Sequence, residues 1–145
     1  MDSVHNELAE VLAQIKLRVF KPTDLVLLYE MLEAQEYPGF RQITNKTIPK
    51  IGYIAMLGEH PVAAGFLRRV ECDVIAQLDG LCSNPVFGSV IRHEAINLVV
   101  DALINEAKAL KLEGIIAFTT DLAITVRAEA TGFTKINHSI LSLKL

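Results

Sequence analysis

The chain has 145 residues, 51% of them hydrophobic and 21% charged, a size and balance that exclude a disordered tail, a collagen-like repeat and two independent domains. Its 14 Lys and Arg against 17 Asp and Glu leave a formal charge of −3, and no basic cluster gathers to track a phosphate backbone, so nucleic acid is excluded as a partner. Cys72 and Cys82 have neither the paired spacing of a zinc site nor the density of a disulfide framework. Reduced thiols, a cytoplasmic setting and no metal are therefore expected.

Residues 1–10 are acidic rather than apolar, and nowhere do about 18 apolar residues run uninterrupted, so neither a signal peptide nor a membrane span is expected. The mean hydropathy of +0.34 then implies a large buried core, with an apolar face left for a partner, a second copy of the chain included.

Leu8, Val11, Leu12 and Ile15 fall at helical spacing, which predicts a short amphipathic helix from Asp2 to about Ala13, an extension ahead of a single domain over residues 15–145. Ile15, Leu17 and Val19 alternate with Lys16 and Arg18, the period of a strand ending at Phe20. Lys21 and Pro22 stop it, and Thr23 is a candidate N-cap for a helix running to about Gln35. Tyr37, Pro38 and Gly39 break that helix, and Phe40 to Lys50 reads as loop with a helical turn.

Ile51–Leu57 and Val62–Val70 are apolar runs joined through Gly58, Glu59, His60 and Pro61, as in an antiparallel hairpin, and Asp73 to Cys82 extends it to a meander. Asn84, Pro85 and Gly88 mark a loop before a long helix, from about Ile91 to Leu110, whose apolar face is Ala95, Ile96, Val99, Val100, Leu103, Ile104, Ala107 and Leu110. After Gly114, the run Ile115–Thr119 has the character of a parallel strand laid down by a crossover. Leu122–Thr131 predicts a shorter helix closed by Gly132, and Phe133–Leu145 alternates as one or two closing strands.

The opening I-K-L-R-V-F-K-P-T-D-L, the strand ending L-C-S-N-P, the R-H-E-A-I-N at the start of the long helix and the A-T-G-F after the short one, in this order, resemble the GNAT family, the acyl-CoA-dependent N-acetyltransferases. Within that family the chain is similar to short phage-encoded members, which would place it in a host cytoplasm. The resemblance implies an α/β (α+β) fold: a mixed, mainly antiparallel sheet with helices on both faces. It also implies acetyl-CoA as acyl donor, an amine acceptor, and direct attack in a ternary complex.

The site residues follow from the same resemblance. The start of the long helix would receive the pyrophosphate through backbone N–H groups and the helix dipole, with Arg92 as the family's basic position and Ser89, His93 and Ala95 beside it. Ala95 and Asn97 stand where the family pattern has glycines. Leu81, Cys82 and Ser83 would pair with the pantetheine arm, and Thr119, in the loop with Thr120 and Asp121, would contact it. Asp79 and His138 are candidate bases for the amine, and Ala128 occupies the position of the family's tyrosine acid.

Plain alternatives stand beside these roles. Arg92 can pair with Glu94 in the first turn, Asp79 can be a turn carboxylate before Gly80, and Thr119 to Asp121 can cap the short helix. His93 and His138 can be surface histidines, Glu71 and Asp73 solvated, and Cys82 an inert core thiol rather than a nucleophile. A second functional class also fits the residues: a GNAT-shaped protein with weak or no transfer, acting by docking on a partner protein such as a host enzyme, for which Ala95 and Ala128 speak.

Overall fold

The computed structural model describes residues 2–70, 74–119, 122–136 and 141–145. In chain order it contains α1 (Asp2–Ala13), β1 (Ile15–Val19), a 3-10 turn (Pro22–Asp24), α2 (Leu25–Ala34), a second 3-10 turn (Phe40–Gln42), β2 (Ile51–Leu57) and β3 (His60–Arg69). There follow β4 (Ile75–Ser83), α3 (Ser89–Ala109), β5 (Gly114–Ile116) and α4 (Leu122–Ala130). The five strands lie in the order β1-β2-β3-β4-β5. Pairing is antiparallel from β1 to β4 and parallel between β4 and β5. No described helix is long and apolar enough to cross a membrane.

Strand alternation gives the sheet two apolar faces, and each is covered by one helix. On one face α3 buries Ala95, Ile96, Val99, Leu103 and Ala107 against Ile15, Ala55, Leu67 and Ala76. On the other α2 buries Leu28, Met31 and Leu32 against Phe20, Ile54, Phe66 and Cys82. Each large side chain so buried contributes about 1.5–3 kcal/mol, so these two layers, rather than helix propensity, hold the fold. The rings of Phe20 and Phe66 meet edge to face with centroids 4.9 Å apart, the arrangement that ring quadrupoles favour.

The start of α2 is fixed by a charge pair. Thr23 is not the cap: the chain enters through the 3-10 turn, and it is Asp24, only 5% exposed, that takes up the donors there. Its carboxylate accepts from both terminal nitrogens of Arg18, at 2.5 and 2.7 Å, and from the Lys21 backbone N–H at 2.8 Å. This joins the outer strand β1 to α2.

Three other expectations change. The strand from Ile15 stops at Val19, and β5 ends at Ile116, three residues short of Thr119. The hairpin turn is tighter than expected, because Leu57 pairs with His60 and only Gly58 and Glu59 turn the chain, Gly58 supplying a φ of +61°. Residues 133–136 and 141–145 form no strand, despite their alternation. Alternation records which side chains could share a face, but a strand also needs a partner edge, and Leu141, Leu143 and Leu145 find none among the described residues and stay exposed.

The Arg18 guanidinium holds the Asp24 carboxyl below the usual carboxylate range, against the opposing effect of burial. A lowered folded-state pKa contributes stability that is present above the unfolded value, about 4, and is lost as pH falls toward the folded one. Asp24→Asn should therefore lower Tm at pH 7 and flatten the fall in Tm between about pH 4 and pH 2, checked by thermal denaturation of both proteins across that range.

Candidate functional site

The site grows from the place where β4 and β5 part. β5 pairs with β4 only from Ile75–Gly114 to Gln77–Ile116, whereas β4 continues to Ser83 on its other side, paired with β3. Between the Phe66–Asp79 and Ala64–Cys82 pairs, Gly80 and Leu81 both oppose the single residue Gly65. This is a bulge, and its first residue, Gly80, has φ +61°, the left-handed conformation that glycine adopts at least cost. A bulge bends its strand, so β4 turns away from β5 here and its backbone from Leu78 onward has no strand on that side.

A cavity opens on each face of the sheet at this gap. The one on the α3 face, about 440 Å³, is lined by Ile96, Asn97 and Val100 of α3, by Ile115 of β5 and by Ala128 of α4. The one on the α2 face, about 560 Å³, is lined by Leu28, Leu32, Tyr37, Ile48, Arg68 and Asp79, among others. Leu78, Leu81, Ala117, Phe118, Thr119 and Ile124 line both. The two cavities therefore adjoin through the gap between the strands.

The first turn of α3 lies one turn ahead of the α3 residues that line the α3-face cavity. Gly88 precedes it in extended conformation, no side chain caps it, and the first backbone bond of the turn runs from Arg92 N–H to the Gly88 carbonyl at 3.1 Å. The N–H groups of Ser89, Val90 and Ile91 thus precede any intrahelical partner and point out of the helix end. Arg92 stands one turn before Ile96 of the cavity wall, and its Nε is buried with no hydrogen-bond partner among the described residues. An orphaned guanidinium nitrogen beside an uncapped helix start fits an anionic group such as pyrophosphate. The alternative ion pair with Glu94 does not form among the described residues.

Other sequence candidates are sorted by the geometry. Ala95 is fully buried in the α3 core cluster, so its methyl faces the sheet and does not crowd the helix start. His93 is exposed and sits 3.1 Å from Asn97 Nδ2. Cys82 is buried on the α2 face, and burial pushes its thiol up to about 12, the setting of an inert core thiol rather than of a nucleophile. The carbonyl of Ser83 accepts from Gln35 Nε2 and is therefore engaged, leaving Leu81 as the more available of the three β4 positions. Asp79 is tied to Arg68, whose Nε donates to Oδ2 at 2.8 Å while Nη2 donates to the Thr47 carbonyl at 2.9 Å. Ser89 is exposed at the helix start, and Thr119 stands where the cavities adjoin. His138, Glu71, Asp73, Thr120 and Asp121 lie outside the described residues.

Sequence reasoning missed Arg68, Gln35 and Phe118. Arg68 meets Asp79 only through the register of β3 on β4, and Gln35 meets Ser83 from 48 residues away, so no local spacing signals either. Phe118, 58% exposed at the end of β5, was the one readable in principle: a large aromatic following a parallel strand lies where ligands meet open sheets.

No family model matches the sequence, and no curated protein matches it. Solved structures do. An acetyltransferase from Streptococcus agalactiae 2603 superposes with a TM-score of 0.68 at 18% identity, over 91% of this chain and 90% of that one. The fold is GNAT-like. Rv2747 from Mycobacterium tuberculosis, solved in complex with CoA, matches with a TM-score of 0.66 at 18% identity over 88% of this chain and 76% of that one. AAC(6')-Iy, an aminoglycoside N-acetyltransferase solved with the bisubstrate analogue CoA-S-monomethyl-acetylneamine, matches with a TM-score of 0.64 at 17% identity over 90% of this chain and 98% of that one. In this GNAT-like fold the Gly80 bulge lies on β4 just past the point where β5 ends.

Two outcomes follow from the bulge and the buried thiol. A Cβ on residue 80 would combine positive φ with an approach of 3.0 Å to the Phe66 ring, so Gly80→Ala should lower stability by about 1–3 kcal/mol, read as a lower urea midpoint. Cys82 should resist iodoacetamide at pH 8 in the native protein and react only after unfolding, as peptide mass spectrometry that resolves its peptide will show.

Proposed function

We propose that the protein is an acyl-CoA-dependent N-acetyltransferase that moves an acetyl group to an amine by direct attack. One observation carries this reading: two cavities on opposite faces of the sheet adjoin where β4 and β5 part. Such an arrangement lets a donor and an acceptor enter separately and touch at one point, which converts a bimolecular encounter into a positioned one.

Acetyl-CoA supplies the acyl group as a thioester, whose carbonyl carbon is open to attack. In this reading the turn Ser89–Ala95 with Arg92 holds the pyrophosphate, and the unpaired β4 backbone at Leu78 and Leu81 holds the amides of the pantetheine arm. The acceptor amine approaches from the α2 face. An acceptor that enters as ammonium first gives one proton to water; the nitrogen lone pair so freed forms the C–N bond, the C–S bond breaks, and the electron pair leaves with sulfur as CoA thiolate. The proton lost from nitrogen passes to Asp79, the carboxylate lining the α2-face cavity, directly or through water. Arg68 orients that carboxylate.

A second reading, a GNAT-shaped protein of weak or no transfer that acts by binding a protein partner, is favoured by one observation. Ala128 presents a methyl on the wall of the α3-face cavity, and no tyrosine lines that cavity, so no phenol there can protonate the departing sulfur. Steady CoA release from acetyl-CoA and an amine supports the first reading over the second.

The donor site is tested by thermal denaturation with acetyl-CoA. Ligand binding to the native state must raise Tm, so no shift at millimolar acetyl-CoA overturns the proposal. Arg92→Ala should weaken the affinity by about tenfold or more, the usual loss of a hydrogen bond to a charged group, with an unchanged far-UV circular dichroism spectrum.

A further inference from the structure

Resting on the acyltransfer reading above, we infer that the acceptor is an amine with a single positive charge on an apolar body, and not a polycation. The inference comes from the α2-face cavity itself. Among its described lining residues the charged ones are Arg68 and Asp79, and they neutralise each other through a bond of 2.8 Å. Much of the remaining wall is apolar, with Leu28, Leu32, Ile43, Ile48, Phe66 and Phe118 spread over α2, the following loop, β3 and the end of β5.

Charge balance decides between acceptor classes. One ammonium entering this cavity can share the Asp79 carboxylate with Arg68, which leaves no ionic group without a counter-charge nearby. A second or third ammonium would lie against the same apolar wall and against the Arg68 guanidinium, with no further described carboxylate to pair it. Arg68 and Asp79 are 47% and 32% exposed, so water screens part of the cost of each unpaired charge, and what remains still counts against a second and third ammonium. The apolar wall in turn rewards an acceptor that brings hydrocarbon or aromatic surface into contact with it. The volume of about 560 Å³ lies in the range of small-molecule sites and admits a small amine or the first residues of a peptide. These two sources share one chemistry: a lone amino group attached to apolar surface.

The test compares four acceptors at saturating acetyl-CoA: 2-phenylethylamine, the peptide amide Leu-Phe-NH2, spermidine and neamine, with thiol release as the readout. Preference for either apolar monoamine over both polycations by about fivefold or more in kcat/KM, the size expected for one partly screened charge, supports the inference. The better of the two monoamines tells a free amine from a peptide amino terminus. Equal or better use of spermidine or neamine overturns it, as does transfer to none of the four while acetyl-CoA still raises Tm. Absence of any Tm shift with acetyl-CoA overturns the acyltransfer reading instead, and the acceptor inference falls with it. Ile48→Glu adds a carboxylate to the wall and should move the preference toward spermidine. Pro49→Glu, on the same loop and also lining the cavity, serves should Ile48→Glu fail to fold. An unchanged preference in a folded variant overturns the charge argument.

Discussion

Everything at the site depends on β4 leaving β5 after three paired residues. β5 ends at Ile116, while β4 runs on to Ser83 and, beyond the last shared pair, carries the two-against-one pairing of Gly80 and Leu81 with Gly65. Side chains at these positions would collide: a Cβ on Gly65 would sit 3.0 Å from both Leu81 and Val99, and one on Gly80 3.0 Å from Phe66. The two faces of the sheet, α3 with Val99 and α2 with Phe66, therefore press on the bulge from opposite sides. Packing that holds the fold also holds the gap, which keeps the opening rigid without any ligand.

Two Arg–Asp pairs show how similar chemistry serves different ends. Arg18 and Asp24 meet through two hydrogen bonds with the carboxylate nearly buried, and a backbone N–H completes the set. That pair joins β1 to α2 and lines neither of the two cavities. Arg68 and Asp79 meet through one hydrogen bond with both side chains about a third to a half exposed. Screening by water makes the second pair a weak source of stability, and it stands on a cavity wall. A partly solvated, singly bonded carboxylate can exchange partners, which the doubly bonded Asp24 cannot do without unfolding its turn.

Much of the fold was legible before any tertiary contact was known. The helix over Asp2–Ala13, the strand Ile51–Leu57 and the buried face of α3 follow from spacing alone, because apolar periodicity is a local consequence of which side chains share a face. The start of α3 was legible for the same reason: a helix start has free N–H groups wherever it falls, and Arg92 sits in its first turn. The closing strands were not, since Leu141, Leu143 and Leu145 have the right alternation but no edge to pair with among the described residues. Where the Ala95 methyl points was not legible either, because its orientation depends on how α3 rolls against the sheet, and that roll buries the methyl in the core.

Element type and order therefore belong to the sequence, as does the mildly acidic, hydrophobic character that calls for two covered sheet faces. Three things belong to the tertiary structure. The register of β3 on β4 creates the Gly80 bulge and brings Arg68 to Asp79. The packing of α2 against the opposite face closes the second cavity and carries Gln35 to the Ser83 carbonyl. The meeting of both cavities at Leu78, Leu81 and Thr119 gives the site its two approaches. The physical reason is range: periodicity and capping act over a few neighbouring residues, whereas register, bulges and cavities are set by contacts between segments tens of residues apart, where many pairings compete and only the packed whole selects one.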